Sequence, residues 1–172
     1  MFCMDIYVIK TKHSTKISDD ILKKFEKKPF SMKRKWREHC FSYFMLDKIL
    51  DDIYKIENRK IVFIDNKPYL DNKDKFFSLS HSNDYLVISI SENNCGIDIE
   101  KIKNRPYKKI AERMKFKSNS LEDFYYDWTL YEARYKLNSH EHCKKQLKID
   151  EYIITAVSQN SNEDFKIHNF SI

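Results

Sequence analysis

Glycine is the scarcest residue type in this chain: Gly96 is the one glycine among 172 residues, where average usage of about 7% would give about twelve. The G-x-G-x-x-G loop of dinucleotide-binding proteins and the Walker A loop both need several closely spaced glycines. Both kinds of site are therefore excluded, and a phosphate-containing ligand would have to be held by side chains and metal. The single glycine predicts an unusual dihedral angle or a close backbone approach at its position.

Long apolar runs and paired cysteines are also missing. No apolar stretch approaches the roughly 20 residues of a membrane helix. The start of the chain, MFCMD, has no basic leader followed by an apolar segment. We therefore expect a cytoplasmic protein that does not associate with membranes. The four cysteines are far apart, without a C-x-x-C pair, which predicts reduced thiols.

The residues that are abundant indicate a globular protein with an anionic partner. Apolar residues make up 41% of the chain and aromatic residues 15%, enough for a proper core. The length fits one domain, or two small lobes that share a core. The net charge of +6 favours nucleic acid, a phosphorylated cofactor or an acidic protein surface, without choosing among them.

Apolar periodicity predicts a mixed α+β chain. Helices are predicted in residues 17–29, 30–56, 107–116 and 121–137. Strands are predicted at residues 4–10 and 60–64, at two places within 76–100, and at 152–158 and 165–172, with the last two paired as a hairpin. The histidines and cysteine of SHEHC, at 139–143, have no second pair of ligands at a zinc spacing, so we predict a polar loop there.

Two carboxylates dominate the chemistry of segment 76–100. In a strand Asp98 and Glu100 point to one face, while Ile97 and Ile99 point to the other, towards a core. Neighbouring carboxylates repel unless a positive charge lies between them, and a magnesium ion bound through oxygens fits this requirement. For this motif alone, solvated acids on an edge strand are the alternative.

The helix predicted over 121–137 places Trp128, Glu132 and Lys136 on one face, at i, i+4 and i+8. By itself, the Glu132 and Lys136 pair could equally be an ordinary surface ion pair, worth a few tenths of a kcal/mol.

Four motifs together resemble a known family. F-S-L-S-H-S at 77–82, G-I-D-I-E at 96–100 and W-T-x-x-E-A-x-x-K at 128–136 occur in that order. They resemble the F-N-x-S-H-S, V/I-G-I-D-I-E and W-x-x-K-E-A-x-x-K motifs of the Sfp-type 4'-phosphopantetheinyl transferases. N-K-P at 66–68 resembles the family's G-K-P, so the resemblance covers about residues 37 to 160.

The resemblance implies an enzyme that transfers the 4'-phosphopantetheine arm of coenzyme A to a serine of an apo acyl or peptidyl carrier protein. It releases adenosine 3',5'-bisphosphate and depends on Mg²⁺. The implied fold is α+β, with two similar α/β lobes, each a small antiparallel sheet packed by a long helix. Coenzyme A and magnesium would lie in the cleft between lobes of approximately 1–92 and 93–172 in a single compact, monomeric unit. The sequence does not distinguish a fatty-acid carrier from a peptide or polyketide carrier.

The same resemblance implies roles for individual residues. The magnesium ligands would be Asp98, Glu100 and Glu132, and the catalytic residues would be Glu132 and Lys136, with Lys136 beside the transferring phosphate. Residues implied to contact coenzyme A are Ser80, His81 and Lys136 at its phosphates and Lys67 at its nucleotide end.

Three positions depart from the family pattern. Tyr131 stands in place of a lysine, Asn119 in about the place of a glutamate, and Tyr43 in place of an arginine. A minimal enzyme and a catalytically degenerate coenzyme A-binding or interaction protein of the same fold both remain open.

A basic nucleic-acid-binding protein is a further alternative, based on the positive charge and the aromatic residues within 121–137. We expect no nucleic acid partner, because most aromatic residues of a helix lie in the core.

Overall fold

A computed structural model describes residues 2–170 of the chain. Its helices are a 3-10 helix Thr11–Lys16, α1 Asp19–Lys23, α2 Lys33–Asp52, α3 Lys108–Met114 and α4 Leu121–Leu137. Its strands are β1 Phe2–Lys10, β2 Ile61–Ile64, β3 Lys67–Leu70, β4 Phe76–Ser82, β5 Tyr85–Ser91, β6 Cys95–Lys101, β7 Cys143–Ile149, β8 Tyr152–Ser158 and β9 Glu163–Phe170.

The strands form two main sheets and a hairpin. The first sheet has the order β4-β5-β1-β9, and the second has the order β6-β8-β7. Strands β2 and β3 form the separate hairpin. Neighbours are antiparallel except β1 and β9, which run parallel. The result is the mixed α+β fold expected from the sequence.

Alternating burial along the strands stacks these elements into layers. On one face of β1, Tyr7 and Ile9 pack in a core with α2. On the other face, Met4 and Ile6 pack in a second core with residues of β6 and β8. The outer face of the second sheet is covered by α4, through contacts such as Leu137 with Val157. The described chain is therefore layered helix–sheet–sheet–helix.

Two sequence predictions about strands are wrong. Strand β8 does not pair with the last strand but lies between β6 and β7, while β9 runs parallel to β1. Residues 171–172, the end of the predicted last strand, lie outside the described residues. The second error is strand β7, which begins at Cys143 and was not predicted, whereas residues 139–142 of SHEHC form the predicted loop.

Three helix predictions are confirmed with shorter bounds, and the fourth, over 121–137, is confirmed with the same bounds. The prediction of reduced thiols is also confirmed. The side chain of Ser18 caps α1, which is only five residues long. Helix α4 begins with a capping box between Ser120 and Asp123. It ends at Leu137, and its C-cap Asn138 is in the left-handed conformation. All four cysteines are free thiols. No helix within residues 2–170 has both the length and the apolar character needed to cross a bilayer.

The single glycine marks the closest approach between α4 and β6. Gly96 does not have a positive φ. A Cβ atom added there would lie 2.8 Å from the backbone nitrogen of Leu137 and closer still to the carbonyl oxygen of Ala133. Glycine is therefore required for contact between the helix and strand backbones rather than for a special dihedral angle.

We expect Gly96→Ala to lower the free energy of unfolding by about 2 kcal/mol, since a side chain would push against helix backbone that cannot rotate away. Urea denaturation followed by circular dichroism measures the change. A variant as stable as wild type would contradict the close packing of α4 on β6.

Candidate active site

Helix α4 brings a lysine onto the acidic face of β6. Asp98 is buried, with 4% of its surface exposed. The Lys136 ammonium donates to the Asp98 Oδ1 at 2.8 Å and to the Ile97 carbonyl at 3.1 Å. Ile97 and Ile99 face the core between the sheets, so the prediction that the two acids share the opposite face is confirmed.

Two serine hydroxyls from β4 also reach the acids. The Ser80 hydroxyl donates to Asp98 Oδ1 at 2.7 Å, and the Ser82 hydroxyl donates to Glu100 Oε2 at 3.3 Å. The sequence did not predict these contacts, because they depend on which strands lie side by side. The serine spacing in S-L-S-H-S, which equals the spacing in D-x-E, is the signal that could have indicated them.

The acids carry more negative charge than their surroundings balance. Burial, and next the charge of Asp98, raises the pKa of Glu100. Burial and Asp98 also raise the pKa of Glu132 on α4. Both pKa shifts are opposed by Lys136, one cation among three carboxylates. The predicted metal ligands are thus close enough to influence one another.

The carboxylates do not form a ready-made metal cage. Within residues 2–170, no group of three or more His, Cys, Asp or Glu side chains is arranged to hold a metal ion. The donor chemistry nevertheless fits magnesium. The Asp98 Oδ2 is buried without a hydrogen-bond partner. A hard cation would satisfy this oxygen and would offset the burial and the charge of Asp98, which together raise the pKa of both glutamates.

A basic groove adjoins the acids. One cavity of about 530 Å³ is lined by residues that include Lys67, Ser78 and Lys136. A second cavity of about 350 Å³ is lined by residues that include His81 and Lys35. The two cavities share the lining residues Lys28, Tyr43 and Leu79. Lys136 lines the first cavity and also contacts Asp98, so it connects the groove to the acids.

Like Ser80 and Lys136, the other two residues predicted to contact coenzyme A already have partners. The His81 Nε2 lies 3.2 Å from the Glu38 Oε2 of α2. The Lys67 ammonium donates to the Asn94 Oδ1 at 2.6 Å and to the Leu137 carbonyl at 2.9 Å. Burial lowers the pKa of Lys67. Lys67 thus ties the β2–β3 hairpin to the end of α4, as well as lining the groove.

The three departures from the family pattern lie in different places. Tyr43 is buried and lines both cavities. Tyr131 is exposed and packs beside Phe116 and Trp128. Asn119 precedes α4, where its backbone N–H donates to the Asp123 carboxylate.

Only part of the aromatic series on α4 is free for stacking. Tyr125 is buried, and Tyr126 and Trp128 pack against the same core cluster. Tyr131 and Tyr135 are exposed.

Comparison with known proteins gives one partial relative. No protein-family model matches the chain. Over 106 residues the chain is 32% identical to "4'-phosphopantetheinyl transferase gsp" of Aneurinibacillus migulanus. The chain is thus similar to a phosphopantetheinyl transferase. The match covers 54% of this chain and 44% of that protein, so the chain spans about half the length of this relative.

The raised glutamate pKa values predict a pH-dependent stability. A carboxyl group whose pKa is raised in the folded state disfavours folding when it is ionised. The free energy of unfolding therefore falls as the pH rises from the ordinary glutamate pKa through the raised one. Without divalent cations, we expect Glu100→Gln to be more stable than wild type at about pH 7 and equally stable at about pH 4, below the ordinary glutamate pKa.

Urea unfolding at both pH values measures this difference. The control is Glu112→Gln, on the exposed surface of α3, which should change stability equally at both. A Glu100→Gln variant less stable than wild type at neutral pH would contradict the excess of negative charge.

Proposed function

We propose that this protein transfers the 4'-phosphopantetheine arm of coenzyme A to a serine of an apo acyl or peptidyl carrier protein, in a Mg²⁺-dependent reaction that releases adenosine 3',5'-bisphosphate. One observation carries the proposal. Lys136 spans from the basic groove to Asp98, beside Glu100 and Glu132, in a segment with the motifs of a phosphopantetheinyl transferase. The similarity to a curated transferase supports the same class of reaction.

The groove suits the phosphates of coenzyme A. Lysines 28, 35 and 136 line it, with His81 at one side. Cationic side chains take the place of the glycine-rich loop that the sequence excludes, because ammonium groups bind phosphate as point charges. Binding phosphate at His81 would compete with its contact to Glu38. Lys67 would reach the nucleotide end only by giving up carbonyl partners.

The acids would hold the cation. Asp98, Glu100 and Glu132 are the residues proposed as magnesium ligands, with Asp98 Oδ2 as the oxygen that lacks a partner. A bound magnesium ion supplies neutralisation of the pyrophosphate charge, the main requirement of phosphoryl transfer.

The remaining chemistry is assigned to two residues of α4. The carrier serine oxygen forms a bond to the phosphorus that bears the pantetheine arm, and the pyrophosphate P–O bond breaks. Lys136 stabilises the negative charge on the leaving oxygen. Glu132 accepts the serine proton as the general base.

The direct test is to incubate the protein with an apo carrier protein, coenzyme A and Mg²⁺, and to detect the added arm by mass spectrometry. We expect Asp98→Ala, Glu100→Ala and Glu132→Ala each to lower the transfer rate at least about 100-fold, with unchanged circular dichroism. The matched control is Glu112→Ala on α3. A wild-type protein that modifies no carrier with any divalent cation would overturn the proposed activity.

Coenzyme A binding without transfer is the second candidate. It is favoured by Asn119 at about the position of a family glutamate, and by the lack of a ready-made cage among residues 2–170. Calorimetric binding of coenzyme A by a wild type that fails to modify carriers would support this candidate.

A further inference from the structure

Strand β6 is the outer strand of the second sheet, and β4 packs against it. Three serines, Ser78, Ser80 and Ser82, alternate along β4 and so share one of its faces. All three are buried, with exposures of 5%, 8% and 9%. Backbone N–H groups at a sheet edge need partners when they are buried, and the serines lie where such partners are required.

The outer two serines seal the free edge of β6. The Ser78 hydroxyl accepts a hydrogen bond from the Ile97 N–H at 3.1 Å. The Ser82 hydroxyl accepts one from the Lys101 N–H, also at 3.1 Å. These contacts fix β4 against β6 in one register.

The same row of hydroxyls reaches the acids. Ser80 donates to Asp98, and Ser82 donates to Glu100. The two serines are two residues apart along β4, and the two acids are two residues apart along β6. One register of the strands therefore allows both serine–acid hydrogen bonds. A hydroxyl has one donor hydrogen and two acceptor lone pairs, and Ser82 uses both functions at once.

We propose that these three serines are positioning residues that set the acid pair of β6 for a divalent cation, with Ser80 the main one. The inference rests on the proposed function. Ser80 and Lys136 both bond to the Asp98 Oδ1, which leaves Oδ2 free as a ligand atom. Ser80 thus acts through Asp98, and its hydroxyl does not contact coenzyme A.

The test measures metal and coenzyme A binding separately. Groups that orient metal ligands typically contribute 10- to 100-fold to metal affinity. We therefore expect Ser80→Ala to weaken Mn²⁺ binding by roughly that factor in titration calorimetry without coenzyme A. In the transfer assay, its kcat should fall while KM for coenzyme A stays unchanged.

The matched control is Ser89→Ala. Ser89 is a fully buried serine of β5 whose hydroxyl contacts Cys95, and its removal should leave Mn²⁺ affinity unchanged. Ser82→Ala provides a second variant in case Ser80→Ala fails to fold. It should weaken Mn²⁺ binding less, because its contact to Glu100 is longer.

Three results would overturn the positioning role: wild type that binds no Mn²⁺, serine variants that bind Mn²⁺ as wild type does, or a Ser80→Ala variant that raises only KM for coenzyme A. If the serine variants bind Mn²⁺ more weakly than wild type but wild type modifies no carrier, the transferase activity would be overturned and the positioning role would remain supported.

Discussion

The close contact between α4 and β6 is the constraint on which the candidate site depends. Because Gly96 has no side chain, the helix backbone lies directly on the strand. Lys136 lies between Ala133 and Leu137, the two helix residues that approach Gly96, and it reaches Asp98, two residues along the strand from the glycine. The single glycine of the chain thus lies at the contact between α4 and β6, the two elements that bear the acids of the candidate site.

The electrostatics of the site are compatible with the proposed cation. Lys136 neutralises part of the charge, and hydroxyls from β4 satisfy part of the hydrogen bonding. Burial, and next the charge of Asp98, still raises the pKa of Glu100 and of Glu132. Clusters of this kind cost stability, and proteins retain them mainly at functional sites. The adjoining basic groove has the opposite charge, as a site for a phosphate ester beside a metal requires.

Local patterns could be predicted from the sequence and long-range pairing could not. The period of two along β6 correctly placed Ile97 and Asp98 on opposite faces of the strand, and helical spacing correctly predicted α4. The parallel pairing of β9 with β1 joins opposite ends of the chain, and no local signal specifies it. Strand β7 was missed because its lysines give little apolar alternation. The serine contacts to the acids were missed because they depend on sheet packing.

The proposed site requires acids from a strand and a distant helix to hold one divalent cation beside coenzyme A. Crystals grown with Mn²⁺ and coenzyme A test it directly, because the anomalous signal of manganese locates the ion. We expect one peak within coordination distance of the Asp98, Glu100 and Glu132 carboxylates, next to the pyrophosphate. A peak elsewhere, or coenzyme A bound without manganese at these acids, would contradict it.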